Sequence, residues 1–387
     1  MPLKSTSLKV AAVQTSPVFL DRDATVEKAC ALTAEAAQHG ARLVTFPEAF
    51  VPAYPDWAWA VPPGRRRMLN DLYAELVANA VDVPGTATAA LCDAARAAGT
   101  AVVIGVNERN AEASGASLYN TLLFINEGGI LLGKRRKLIP TAAERTVWAA
   151  GDGSTLGVFP LAGAKVAGLI CWENYMPLAR YAMVAQGAQV LVAATWDRGE
   201  PWLSSMRHVA REGGVFVVSV GMALRVSDIP DRYEFKSLYP VGREWINAGD
   251  SCVVDPEGAV IAGPLHEKQE ILYADLDLSR VAAGRRMLDV AGHYAARRVH
   301  SHDSPRIPAP TEMGGFTTEG TEGTEKPPRT NATEADETNQ EEMNVKPTRG
   351  EDVAVCLGGR VADSIFDEGD GGDSSGDSRI QAGRHGS

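Results

Sequence analysis

Cys171 closes the apolar run Val166-Ala167-Gly168-Leu169-Ile170 and opens the segment Trp172-Glu173-Asn174. A side chain where a buried strand enters a turn points into the crevice in which α/β folds bind ligands. The nucleophile elbow of α/β-hydrolases uses the same placement. A free cysteine is also a good small core residue, and position alone leaves that reading open. Glu48 ends a second apolar run, Val44-Thr45-Phe46-Pro47. Pro47 stops strand pairing, so the carboxylate falls at the same kind of strand end, where a solvated loop acid would look no different. Lys137 closes the basic run Lys134-Arg135-Arg136 and precedes Leu138-Ile139-Pro140. The first three bases read as a solvated face, whereas Lys137, beside an apolar pair, sits in drier surroundings. Glu144-Arg145, seven residues on, reads by itself as a surface ion pair of little energetic worth.

Together, Glu, Lys and Cys near strand ends are what thiol attack on a carbon–nitrogen bond requires. A free thiol, with a pKa of about 8.5, needs a base or a nearby positive charge to become a nucleophile. Glu48 can take the thiol proton, and Lys137 can stabilise charge developing on nitrogen or oxygen. A Cys–His dyad stays open, although no His sits beside a similar strand-end motif. No His or Cys cluster has metal-ligand spacing; His300-Ser301-His302 is the nearest approach. Neither a phosphate-binding loop nor a Gly-rich dinucleotide motif is present. No metal and no organic cofactor are expected.

The elements that must carry these residues alternate short apolar runs with amphipathic stretches. Strands are expected at 8–13, 42–46, 101–106, 166–170, 189–193, 215–220 and 271–276. Asp23 and Thr86 are candidate helix caps, the first helix ending before Gly40 and the second before Gly99. Further helices are expected at 176–186 and 201–213. Hairpins turn at Glu127-Gly128-Gly129 and at Asp255-Pro256-Glu257-Gly258. The pattern predicts α/β layering, and the hairpins argue against a purely parallel sheet.

The chain has 387 residues, 45% of them hydrophobic, enough for a sizeable core. Its net charge of −11 argues against a nucleic-acid partner. From Ser304 onward there are 17 acidic and 8 basic residues, so the tail carries most of that charge. That tail is rich in Gly, Ser, Thr, Glu, Asp and Pro, and 304–387 is expected to be a disordered acidic segment after a single domain over 1–300. Cys30, Cys92, Cys171, Cys252 and Cys356 form no disulfide framework. Without a signal-peptide pattern or a stretch of about 18 apolar residues, the expected setting is the cytoplasm, away from the membrane.

Three segments resemble the signature stretches of the nitrilase superfamily of carbon–nitrogen hydrolases, in that family's order and spacing. They are Phe46-Pro47-Glu48-Ala49-Phe50, Arg136-Lys137-Leu138-Ile139-Pro140-Thr141 and Cys171-Trp172-Glu173-Asn174-Tyr175-Met176-Pro177-Leu178. Val147–Ser154 and Gly249–Pro256 are also similar to the nitrilase branch. The resemblance covers roughly residues 8–294. It implies a four-layer α-β-β-α sandwich, with Cys171 as nucleophile, Glu48 as general base and Lys137 as stabiliser. Glu144 matches the family's second glutamate. The implied substrate is a small nitrile hydrolysed to the acid and ammonia; an amidase or a cyanide-hydrating relative with the same residues is the alternative. Homo-oligomers, dimers or larger spirals, are also implied. Trp172 after the cysteine is similar to true nitrilases; it could wall the pocket or simply pack in the core. Tyr54, Trp57 and Trp59 follow the Glu48 loop and are candidates to shape that pocket. One departure is Ala296-Arg297-Arg298 after His293-Tyr294-Ala295, where the family usually continues Arg-Pro-Asp. It puts the usual C-terminal packing in question but not the active site.

Overall fold

Period-two alternation in the apolar runs decides the layering. In the first strand, β1 (Ser7–Gln14), Leu8, Val10 and Ala12 face one core while Ala11 and Val13 face another. A strand apolar on both faces must be covered on both faces, and the fold supplies a cover for each. The computed structural model describes residues 7–295. They belong to a compact unit spanning Met1–Arg306; a second unit, Ile307–Ser387, and with it the acidic tail, lies outside the described residues.

After β1 come α1 (Arg22–Gln38), β2 (Leu43–Thr45), α2 (Trp57–Ala60), α3 (Arg66–Ala78) and α4 (Thr86–Ala98). Strands β3 (Ala101–Arg109), β4 (Leu118–Ile125) and β5 (Leu131–Arg136) follow as a meander. The second half runs β6 (Val158–Leu161), β7 (Ala164–Ile170), α5 (Pro177–Ala185), β8 (Val190–Thr195), α6 (Gly199–Gly213) and β9 (Phe216–Gly221). It ends with β10 (Ala223–Arg225), β11 (Trp245–Val254), β12 (Val260–His266), β13 (Glu270–Asp277) and α7 (Ser279–Arg285). One sheet has the order β13-β1-β2-β3-β4-β5. The other has β10-β11-β9-β8-β7-β6, with β12 added on β11. Both are mixed: β1-β2-β3 and β7-β8-β9 are parallel, and the remaining pairings antiparallel.

Three apolar clusters separate four layers. Val10, Leu43, Val103 and Phe124 of the first sheet meet Val166, Ile170, Val192 and Val218 of the second. The outer face of the first sheet packs on α1, α3 and α4 through Val26, Ala29, Leu72, Leu76 and Leu91. The outer face of the second packs on α5 and α6 through Met183, Trp202, Met206 and Val209. This is the α-β-β-α sandwich that the resemblance implied.

Several local details differ from expectation. The first helix is capped by Asp21, whose carboxylate accepts from the Ala24 amide at 3.0 Å, while Asp23 pairs with Arg22 inside the first turn. The cap of α4 is Gly85 rather than Thr86, and its amide donates to Thr88 Oγ1 at 2.7 Å. Helix α3 was not anticipated, although Leu72 and Leu76 give its buried stripe an i, i+4 spacing.

Candidate active site

Four loops at the ends of strands β2, β5, β7 and β8 converge. Glu48 lies three residues past β2, Lys137 directly follows β5, and Cys171 directly follows β7. All three are buried, as is Glu144 on the 3₁₀ turn Ala142–Thr146. Lys137 Nζ lies 2.8 Å from Glu48 Oε1 and 2.7 Å from Glu144 Oε2, so one ammonium bridges two carboxylates. Asn120 Nδ2 donates to Glu48 Oε1 at 2.7 Å and the Trp196 amide to Glu48 Oε2 at 2.9 Å. Glu144 accepts from the Thr141 amide at 2.6 Å and from the Tyr54 hydroxyl at 2.8 Å. Every carboxylate oxygen here has a donor, as buried charge requires.

Three of these loops also carry a non-glycine residue in the left-handed region: Ala49 at φ 49°, Ala142 at φ 44° and Cys171 at φ 50°. Such residues cost roughly 1–3 kcal/mol each and persist where the surroundings over-determine them. They turn the chain sharply just after Glu48, just before Glu144 and at the thiol itself.

The four ionisable groups act on one another. Burial pushes Glu48 up to about 7; the Lys137 charge restrains that rise and the Glu144 charge adds to it. For Lys137 burial acts downward, but the charges of Glu48, Cys171 and Glu144 outweigh it and hold the ammonium above the usual lysine range. The Cys171 thiol is pushed up, first by burial and then by the Glu48 charge; Lys137 and a hydrogen bond with Thr195 oppose that shift. The resting thiol is therefore protonated.

The aromatic residues distribute unevenly around this centre. Tyr54 is buried in it, stacked on Trp196 at 4.3 Å between ring centroids and edge-on to Trp148. Trp59 donates from Nε1 to the Tyr54 hydroxyl at 3.1 Å and is 42% exposed. Trp172 is 49% exposed, so it is not a core residue, and its Nε1 donates to Asp197 at 2.8 Å. Trp57 is buried in the core against the first sheet, with no hydrogen bond to the charged centre. Sequence reasoning missed Asn120, Thr195 and Trp196. Thr195 ends β8 and Trp196 follows it, the same positional signal that singled out Cys171; nothing local marks Asn120.

The basic run before Lys137 departs from expectation. Arg135 is fully buried against Glu173, and Lys134 and Arg136 both pair with the buried Glu108. Strand β5 carries these side chains inward, where partners wait, so the run is not a solvated face. Among the described residues no group of three or more His, Cys, Asp or Glu could hold a metal ion.

A buried thiol, two buried carboxylates and the ammonium caged between them stand at the strand ends of a double-sheet sandwich, and comparison with known proteins gives the family. The carbon-nitrogen hydrolase profile matches residues 9–286. A bifunctional nitrilase/nitrile hydratase of Nicotiana tabacum is 41% identical over 300 residues, covering 76% of this chain and 85% of the relative. An aliphatic nitrilase of Sinorhizobium fredii is 40% identical over 297 residues, covering 75% and 93%. A solved nitrilase-superfamily structure from Saccharomyces cerevisiae has a TM-score of 0.58 at 22% identity, covering 75% of this chain and 97% of its own; that likeness speaks for the fold alone. The chain belongs to the carbon–nitrogen hydrolase family, in its nitrilase branch, and is a hydrolase of carbon–nitrogen bonds other than peptide bonds.

Proposed function

We propose that this enzyme hydrolyses a small organic nitrile to the carboxylic acid and ammonia, with Cys171 as nucleophile, Glu48 as general base, Lys137 as charge stabiliser and Glu144 as partner of the lysine. The observation that carries this reading is the single ammonium of Lys137 held between Glu48 and Glu144 within electrostatic reach of the Cys171 thiol. Glu48 takes the thiol proton as sulfur bonds to the nitrile carbon, and returns it to the nitrile nitrogen, giving a thioimidate. A carboxyl poised near 7 can both accept and give that proton at neutral pH. Lys137 faces the charge that develops on nitrogen and then on oxygen. Water adds to the thioimidate carbon, the C–N bond breaks, and ammonia leaves a thioester. A second water breaks the C–S bond, releases the acid and restores the thiol. Two waters are consumed for one acid and one ammonia.

If the C–S bond breaks before the C–N bond, the product is the amide. The Nicotiana tabacum relative bears the name of both activities, which favours testing for that second product. Tyr54, Trp59 and Trp172 are proposed to line the substrate's path, and Trp57 to support them from the core. The implied homo-oligomer belongs to the same proposal; Leu178 on α5, 82% exposed, is the kind of side chain such an interface covers.

The test is ammonia, acid and amide release from aromatic, arylacetic and aliphatic nitriles, beside the matching amides and cyanide. Acid from organic nitriles supports the reading. Turnover of amides alone would move the enzyme to amidase chemistry with the same residues. The Cys171→Ala enzyme is expected to fold and release no ammonia; substantial residual release refutes the nucleophile.

A further inference from the structure

Glu173 and Arg135 form a buried ion pair that the proposed mechanism does not use. Their side chains are 1% and 0% exposed and 2.8 Å apart. Buried ion pairs are poor sources of stability, so the contacts around this one are informative. Glu173 Oε2 accepts from the amide of Ile170, the residue before Cys171, at 2.7 Å. Glu173 Oε1 accepts from the amide of Leu138, the residue after Lys137, at 2.5 Å. Ile170 ends β7 of one sheet, and Leu138 follows β5 of the other. One carboxylate thus grips the backbone beside the thiol and the backbone beside the ammonium, across the two sheets. Arg135 holds that carboxylate from β5 and donates from Nη1 to its neighbour's carbonyl, Arg136 O, at 3.3 Å. The left-handed backbone at Cys171 needs such restraint.

We propose that Glu173 is a positioning residue, whose carboxylate sets the separation between the Cys171 thiol and the Lys137 ammonium. The inference rests on the reading of those two groups as nucleophile and charge stabiliser. Three donors converge on the carboxylate, and it accepts all of them. A glutamine has one acceptor oxygen, and its amide group would face a donor, so at least one backbone segment is released. Misplacement by about 1 Å costs up to roughly a hundredfold in rate while leaving substrate binding nearly intact.

The test uses the full chain carrying Glu173→Gln alone and together with Arg135→Met. Each is assayed on a nitrile that the wild type hydrolyses and by the rate of Cys171 alkylation with iodoacetamide, followed by peptide mass spectrometry. In both variants kcat is expected to fall at least about tenfold with KM within about threefold, and Cys171 labelling to slow. The double variant neutralises both halves of the ion pair, so its melting temperature is expected to return toward wild type while kcat stays low. Recovery of kcat together with melting temperature in the double variant would mean that Glu173 only balances a charge, and overturns the proposal. An unchanged kcat in the single variant overturns it as well. Should Glu173→Gln alone fail to fold, the double variant is judged by the same kcat criterion. If the wild type hydrolyses no nitrile, the functional reading fails separately. Cys171 labelling then decides the positioning role: slowed labelling supports it and an unchanged rate overturns it.

Discussion

Replacing Lys137 with methionine is the most demanding check on the buried charge centre. The ammonium contacts Glu48 and Glu144 at 2.8 and 2.7 Å, and all three side chains are at most 2% exposed. Lys137→Met keeps an apolar stem of similar length but leaves two carboxylates facing each other without a cation. Removing one partner of a buried pair costs about 3–5 kcal/mol, because the remaining charge is uncompensated. For a body of this size that corresponds to a fall in melting temperature of roughly 5–8 °C. The loss must depend on pH with a definite sign. Glu48 is raised to about 7 from an ordinary 4.5 even beside Lys137, and goes higher without it. A carboxyl whose folded-state pKa is raised favours the fold while protonated. The penalty is therefore absent below about 4.5 and grows as pH rises through 7. Calorimetry of the wild type and Lys137→Met at pH 5 and pH 8 measures the difference. The triple variant Glu48→Gln, Lys137→Met, Glu144→Gln removes all the charges and is expected to recover most of the stability but none of the activity. A destabilisation equal at both pH values, or below about 1 kcal/mol at pH 8, would refute the picture of a tightly coupled, dry charge centre.

Two further outcomes follow from the same geometry. Because the base must be ionised to take the thiol proton, kcat/KM is expected to fall on the acid side with an apparent pKa near 7, the value to which burial pushes Glu48. An acid limb below about 5.5 in a pH–rate profile would contradict Glu48 as the base. Gly105→Ala would drive a Cβ into the Pro47 carbonyl and the Ala49 amide, backbone atoms on either side of Glu48. A loss of about 1–3 kcal/mol in stability is expected, with at least about tenfold lower kcat/KM, measured by thermal melts and steady-state kinetics.

Much of this centre is legible along the chain, because strand ends are legible. Apolar runs that stop at Pro47 and Ile170 mark where the backbone leaves a sheet, with Glu48 and Cys171 found there, and Lys137 stands where a basic run gives way to the apolar pair Leu138-Ile139. The unbroken apolar run of β7 is a local property, and it already requires that both faces of that strand be covered. The sequence by itself likewise determined the hairpin between β4 and β5 and the helices that follow β7 and β8. What surrounds the charges was decided only by tertiary structure. Asn120 lies mid-strand with nothing local to distinguish it, and becomes a partner of Glu48 because the register of β3 with β4 brings it there. Arg135 and Arg136 look like surface bases until Glu173 and Glu108 arrive from other strands or turns. The left-handed backbone at Ala49, Ala142 and Cys171 has no glycine or asparagine to announce it, since the conformation is imposed by contacts rather than favoured by the residue. Local chemistry tells which segments become strands and which residues stand at their ends. Burial and long-range hydrogen bonds decide what each charge meets there, because those free energies come from groups far apart in the chain.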